Sequence, residues 1–219
     1  MKPRLLDLFC GAGGASMGYH RAGFDVVGVD INPQPRYPFE FHQADAMTFD
    51  LSGFDAIHAS PPCQAHTTMS NRWRDKGGKA DSHVDLIAGI RQRLKDSGVP
   101  WVIENVPGAR GVMRSPIQLS GGMFGLGVHR PRLFESSEPL TAAPVHKVVN
   151  PIGVYGAMDG RRLWTRSDGT HQRAASSLPQ ARAAMGIDWM EWRELAESIP
   201  PAYTEHIGRQ LVARLAVLA

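Results

Sequence analysis

The 219-residue sequence predicts an α/β fold in which a mostly parallel central sheet carries helices on both faces. Two observations predict it. Short apolar runs at residues 4–9, 25–30, 55–59 and 101–103 read as buried strands, and segments of helical periodicity stand between them. Each run also ends in a glycine turn, a carboxylate or a proline, and the carboxyl ends of strands are where ligands bind in an open α/β sheet. At this length one substantial core with a small appendage is expected, in preference to two equal domains.

The first run leads into Cys10-Gly11-Ala12-Gly13-Gly14, after which residues 15–22 read as a helix. Glycines let the backbone approach a ligand closely, and the helix amino terminus offers free amide donors with a partial positive charge. The second run closes on Asp30, nineteen positions after Gly11, where an acid commonly accepts hydrogen bonds from ribose hydroxyls. Asp45 stands near the end of a weaker strand, and the three strand ends together predict a nucleoside cofactor. The run at 55–59 is stopped by Ser60-Pro61-Pro62, whose prolines hold Cys63 on a stiff support, as a nucleophile requires. Taken by itself Cys63 also fits a small buried hydrophobe, so its neighbours decide between the two. Residues 67–81 lack apolar periodicity and hold Arg72, Trp73, Arg74, Lys76 and Lys79, the composition of a basic binding loop. Ser82 and Asp85 then predict a capping box for a helix with Leu86, Ile87, Ile90 and Leu94 on one face. The strand at 101–103 ends in Glu104-Asn105, a further strand end that presents polar groups.

Composition narrows the class. Hydrophobic content of 42% and charged content of 21% are ordinary for a soluble globular chain, and no uncharged apolar run has the length of a membrane span. Lys2, Arg4, Leu5 and Leu6 imitate a signal peptide only as far as Asp7, so the segment reads as a first strand. Two cysteines are too few for a disulfide framework and predict a reducing cytoplasm. The formal net charge of +3 is unevenly spread: residues 1–59 carry four Lys/Arg and seven Asp/Glu, whereas residues 60–82, 105–135 and 141–182 are all net basic. Basic segments after Cys63 predict a polyanionic partner such as nucleic acid. Cys63 and His66 lack a second ligand pair, so no metal is expected, and neither a phosphate-binding GK[ST] nor a nucleophile elbow is present.

Asp7-Leu8-Phe9-Cys10-Gly11-Ala12-Gly13-Gly14, Pro62-Cys63-Gln64, Glu104-Asn105-Val106 and Arg130-Pro131-Arg132 together resemble the ordered motifs of the DNA cytosine carbon-5 methyltransferases. The resemblance covers most of residues 4–136 and returns at Ile207-Gly208, read as opening a helix with Ile207, Leu211, Leu215 and Leu218 on one face. It implies a Rossmann-like, S-adenosylmethionine-dependent methyltransferase fold and a DNA partner, double- or single-stranded. A setting in restriction–modification or phage DNA modification, in the cytoplasm of a prokaryotic or phage-infected cell, follows from it. Carbon 5 of cytosine is a poor nucleophile until attack at carbon 6 breaks the aromatic ring. A thiolate suits that attack, and a carboxylic acid near ring nitrogen 3 assists it.

The resemblance gives Cys63 the attack and Glu104 the acid. It has Asn105 place the base and Arg132 contact its carbonyl oxygen, and a nearby Arg132 or Arg130 would favour the thiolate. For the cofactor it implies Phe9 on one adenine face and Ile31 on the other, Asp30 on the ribose, and Asp45 with Ala46 at the adenine amino group. Gly11, Gly13 and Gly14 would admit the methionine end, and Pro62 would touch both cofactor and base. Gln64, Arg72, Arg74, Lys76 and Lys79 would grip DNA around an extruded base.

Three features depart from the family pattern. Val128 stands where a glutamine is usual, and Arg209 and Gln210 where asparagine and serine are usual. Only 46 residues separate Arg132 from the helical segment near Pro179. The organisation expected is therefore a catalytic and cofactor-binding domain at 1–136, a reduced target-recognition segment at 137–178 and a helical segment at 179–219 that packs back on the first. Recognition would be short, relaxed or supplied by a protein partner. The same chemistry on RNA or a free pyrimidine nucleotide is the alternative, and a non-catalytic nucleic-acid-binding relative is a further one.

Overall fold

A computed structural model describes residues 2–62, 86–165 and 171–218. Seven strands, β1 (Arg4–Leu8), β2 (Asp25–Asp30), β3 (Glu40–Gln43), β4 (Ala56–Ala59), β5 (Trp101–Asn105), β6 (Ile117–Leu119) and β7 (Arg132–Ser136), form one sheet of order β3-β2-β1-β4-β5-β7-β6. The five strands from β3 to β5 are parallel, and β7 runs antiparallel to both of its neighbours. β4, β5 and most of β1 and β2 are buried on both faces, which is why they read as apolar runs.

The two-residue period of β1 divides its side chains between two cores. Leu6 and Leu8 join Val27, Ile57, Ile90 and Leu94 under α2 (Ile87–Asp96). Leu5 joins Tyr19, Phe24, Tyr203, Ile207 and Leu211 under α1 (Gly14–Ala22) and a long helix at the carboxyl end of the chain. The expected stripe of α2 is seen, with Ile87, Ile90 and Leu94 buried and Leu86 half-buried; the capping box of Ser82 and Asp85 lies outside the described residues.

A smaller three-stranded sheet of β8 (Ile152–Gly153), β10 (His171–Ala174) and β9 (Leu163–Thr165), in that order, follows the main one. It shares an apolar cluster of Val154, Ala175, Met185, Met190 and Leu195 with α3 (Leu178–Met185) and α4 (Trp192–Glu197). Val128 is buried in that cluster, so the residue that departs from the family pattern fills apolar space.

The last helix, α5, runs over Pro201–Leu218 and corrects the expectation that a helix opens at Ile207. Proline's fixed φ suits a first turn, so Pro201 starts a helix well before the apolar stripe becomes legible. α5 crosses α1 closely: a Cβ on Gly18 would lie 2.1 Å from both the Pro201 oxygen and Thr204 Oγ1, and the Thr204 hydroxyl donates to the Ala15 oxygen at 2.8 Å. Arg209 pairs with Glu205, and Gln210 accepts from the Thr141 amide at 2.9 Å, so neither departure from the family pattern reaches the glycine turn. Among the described residues no helix is long and apolar enough to cross a membrane.

Candidate active site

The carboxyl ends of β1, β2, β4 and β5 and the first residue of β7 surround a cleft of about 360 Å³. Register makes them meet. Leu8 pairs with Ala59 and Ala59 with Ile103, so β1, β4 and β5 end close to one level. β7 enters from the opposite direction and begins with Arg132 at the edge where β5 finishes.

After β1 the chain turns through Phe9 at φ 60° and Gly11 at φ 50°. A non-glycine residue in the left-handed region is strained, and such strain collects at ligand sites. Phe9 and Gly11 both line the cleft. Gly11 has open space where a Cβ would stand, so of the three predicted glycines it is the one whose missing side chain opens on the cleft. Gly13 and Gly14 are required by packing: a Cβ on Gly13 would lie 2.9 Å from Pro38, and one on Gly14 would lie 1.9 Å from Ser198 Oγ. Asp30 accepts from the Gly11 amide at 3.1 Å and from the Asn32 amide at 2.9 Å, tying the ends of β1 and β2 together. Ile31 is 66% exposed and lines the cleft. Asp45 and Ala46 are not among the lining residues; the Asp45 carboxylate accepts from the Met47 amide at 2.8 Å and organises the turn after β3.

Beneath the glycine turn lies Asp7, fully buried on β1. Its Oδ2 accepts from Ser16, whose hydroxyl is 2.7 Å from that of Tyr37, and Oδ1 has no partner among the described residues. Burial pushes the Asp7 carboxyl up to about 7, with the negative charges of Asp30 and Glu104 adding to the effect. Cys10 is also buried, and its thiol is pushed well above the ordinary range.

On the other side, Glu104 at the end of β5 is buried and faces Arg132, with Nε 3.1 Å from Oε1. Burial raises its carboxyl, opposed by Arg132, a hydrogen bond from Ser60 and the charge of Arg130. Asn105 donates from Nδ2 to the Pro61 oxygen at 3.0 Å and accepts the Val106 amide at 2.9 Å, so it fastens the turn after β4 to the one after β5. Pro62 lines the cleft. The next residue is Cys63, and Cys63, Gln64, Arg72, Arg74, Lys76 and Lys79 lie outside the described residues.

Arg130 is absent from the cleft walls. Its guanidinium is buried and donates to three backbone carbonyls: Nε to Ser198 at 2.7 Å, Nη1 to Val154 at 2.9 Å and Nη2 to Ala196 at 2.5 Å. Burial lowers it to about 9, so it remains charged at neutral pH. These three bonds give Arg130 a tethering position. It joins β7 to α4 and to the small sheet.

Sequence reasoning missed one wall. Glu194, Glu197, Ser198 and Ile199 form a wall of the cleft against the glycine turn, and Trp189 donates to the Ala12 oxygen at 2.9 Å from the same region. The clash of a Gly14 side chain with Ser198 is the trace of this contact, invisible without coordinates. A larger hollow of about 550 Å³ opens at the amino-terminal end of β5. Its carboxylates are both engaged, Glu135 by Arg91 at 2.6 Å and Glu138 by Arg214 at 2.9 Å, and the glycine turn is not part of it. The chemistry gathers in the smaller cleft. Among the described residues no group of three metal-ligating side chains occurs.

A sequence model of the family described as C-5 cytosine-specific DNA methylase matches residues 3–114. The type II methyltransferase M.HgiDI of Herpetosiphon aurantiacus is 31% identical over 123 residues, covering 49% of this chain and 38% of that protein. M.HgiGI, another type II methyltransferase of that organism, is 30% identical over 123 residues, covering 49% of this chain and 93% of the relative. The chain thus spans less than half the length of M.HgiDI. Among solved structures, a protein encoded within an E. coli prophage and described as a candidate DNA modification methyltransferase superposes with a TM-score of 0.63. That match covers 98% of this chain and 99% of the other at 16% identity, a likeness of fold.

Proposed function

This chain belongs to the C-5 cytosine-specific DNA methylase family, and from that premise we propose that it transfers a methyl group from S-adenosylmethionine to carbon 5 of cytosine in DNA. The observation that carries the reading is the buried Glu104–Arg132 pair at 3.1 Å, in one cleft with the glycine turn and with Pro62, the residue before Cys63.

The cleft fits the cofactor chemically. Its floor is rich in acceptors, with Oδ1 of Asp7, which has no partner among the described residues, and the carboxylate of Asp30, which suits a ligand carrying a cationic end and ribose hydroxyls. When bound, S-adenosylmethionine supplies an electrophilic methyl group. Asp30 would hold the ribose, Phe9 and Ile31 the adenine faces, and Gly11 would leave room at the turn.

The remaining work falls to the chain's own residues. Cys63 sulfur bonds to carbon 6 of the flipped base, and Glu104 shares a proton with ring nitrogen 3, so electron density moves to carbon 5. Raising of the Glu104 carboxyl by burial favours the proton-bearing form that this step needs. Arg132, held by Nε on the same carboxyl and by Nη1 on the Pro131 oxygen at 2.9 Å, would offer its remaining donor, Nη2, to the base carbonyl. Once carbon 5 is methylated its proton leaves to a base, the carbon–sulfur bond breaks and Cys63 is released. Arg161 and Arg162 in the loop between β8 and β9, and His171 and Arg173 on β10, are exposed, a basic edge suited to DNA phosphates and to the role of a reduced recognition segment.

The test offers duplex DNA, single-stranded DNA, RNA and cytidine nucleotides in parallel with labelled S-adenosylmethionine. Label is expected at carbon 5 of cytosine in DNA, and Cys63→Ala is expected to bind cofactor without transferring. Faster labelling of RNA or nucleotide, no labelling despite measured cofactor binding, or full transfer by Cys63→Ala would each overturn the reading.

A further inference from the structure

Behind Glu104 lies a buried polar row that the proposed reaction does not use. His58 sits in β4 at 0% exposure, between apolar neighbours. Its Nδ1 is 3.0 Å from the Tyr19 hydroxyl and its Nε2 is 2.9 Å from Ser60 Oγ; Ser60 and Glu104 line the same cleft, and hydrogen bonding by the Ser60 hydroxyl opposes the rise of the Glu104 carboxyl.

Donor and acceptor counting fixes the direction of the row. With Ser60 donating to the carboxylate, its oxygen accepts from His58 Nε2–H. His58 Nδ1 is then an acceptor, and the Tyr19 phenol donates to it. The reverse direction would leave the buried phenol proton with no acceptor among the described residues. His58 stays neutral throughout, since burial pulls its imidazole down to about 3.

We propose that Tyr19, His58 and Ser60 form a one-way hydrogen-bond row whose function is to position the Glu104 carboxyl, an inference that rests on the acid role given to Glu104 above. The row ends in a buried phenol, so it orients the carboxyl and gives a proton no path to solvent. Arginine has no acceptor, and Ser60 is already donating. A proton taken up by Glu104 therefore sits on a lone pair turned to the cleft, where ring nitrogen 3 arrives. The groups that face Glu104 are Ser60 at the end of β4, Arg132 on β7, Arg130 just before it, Asp7 on β1, Tyr19 on α1 and Tyr203 on α5. Of these, Ser60 is the neutral group that hydrogen-bonds the Glu104 carboxyl, and His58 and Tyr19 hold it in its donating rotamer.

The test compares wild type with Ser60→Ala, Ser60→Thr and Tyr19→Phe. The last removes one hydroxyl and keeps the ring against Phe24, 6.0 Å away. The titration midpoint of Glu104 is read by infrared difference spectroscopy on protein labelled with carbon-13 glutamate, with Glu104→Gln as the subtracted reference, which needs no turnover. Loss of a hydrogen bond to a charged carboxylate should raise the midpoint by about one pH unit in Ser60→Ala. Tyr19→Phe should move it in the same direction by less, and Ser60→Thr should restore it. The alkaline limb of kcat should follow, with KM for DNA unchanged. A Ser60→Ala protein that melts like wild type and titrates at the wild-type midpoint overturns the row; should Tyr19→Phe not fold, Ser60→Ala alone decides. If the midpoint moves while wild type transfers no methyl group, the row stands and the assigned reaction falls. If wild type methylates and the midpoint is unmoved, the reverse holds.

Discussion

Replacing Arg130 by lysine separates a tether from a group that acts on the reacting atoms. The guanidinium reaches the carbonyls of Ala196, Ser198 and Val154 at 2.5, 2.7 and 2.9 Å. An ammonium on a flexible stem can keep one of these geometries, leaving two carbonyls to find other donors. At about 1.5 kcal/mol for each of the two charge-assisted bonds lost, the cost is about 3 kcal/mol. For a chain of this size that lowers the melting temperature by about 6–12 °C. Two of the carbonyls lie at the end of α4, beside Ser198 and Ile199 of the cleft wall, so cofactor affinity should fall about tenfold with them. Turnover at saturating cofactor should stay within about threefold of wild type, because Arg130 lines no part of the cleft. Calorimetry, titration with S-adenosylmethionine and single-turnover kinetics read the three quantities. An unchanged melting temperature together with a thousandfold loss of turnover would refute the tether and restore the reading that the Arg130-Pro131-Arg132 motif invites.

Two further predictions use the glycine turn and its floor. Gly18→Ala, whose Cβ would stand 2.1 Å from the Pro201 oxygen, should cost about 3 kcal/mol or more in urea unfolding. Gly11→Ala, with open space around it, should cost only the backbone price of φ 50°, about 1 kcal/mol; equal losses would mean that the α1–α5 contact is looser than described. Asp7 is raised from 3.8 to about 7 in the fold, so its protonated form is the one favoured by folding. Its contribution is complete below the unfolded pKa, declines as pH rises towards 7 and is flat above, a loss of up to about 4 kcal/mol. Asp7→Asn should flatten that slope in denaturation measured between about pH 4 and about pH 8. A slope as steep as that of wild type would place the titration elsewhere.

Much of the fold was legible because β1, β2, β4 and β5 are covered on both faces, and full burial leaves an apolar run that a reader can find. Glu104 and Asp30 were legible for the complementary reason: a carboxylate at the end of such a run has to face something. What stayed hidden depends on long-range geometry. His58 sits inside a buried strand, where a lone polar residue has no pattern to announce its partners, and Tyr19 and Glu104 are far from it in sequence. Arg130 and Arg132 look alike in Arg130-Pro131-Arg132, yet one meets three backbone oxygens and the other a carboxylate. The start of α5 was displaced because its first turn, Pro201-Ala202-Tyr203-Thr204, carries a proline where apolar periodicity has not yet begun.

The antiparallel course of β7 bears on which changes of length this chain can absorb. Glu104 stands opposite Phe134, so Arg132 is its diagonal neighbour on the same side of the sheet, and side chains in a ladder alternate strictly. One residue inserted or deleted within residues 132–134 would carry the guanidinium to the far side of the sheet. The connection between the two strands has no such parity. The loops at residues 106–116 and 125–131 stand outside the ladder, and lengthening them leaves every cross-strand partner in place. Insertions should therefore be sorted by whether they fall inside the ladder or between its rungs, with two residues forgiven where one is not.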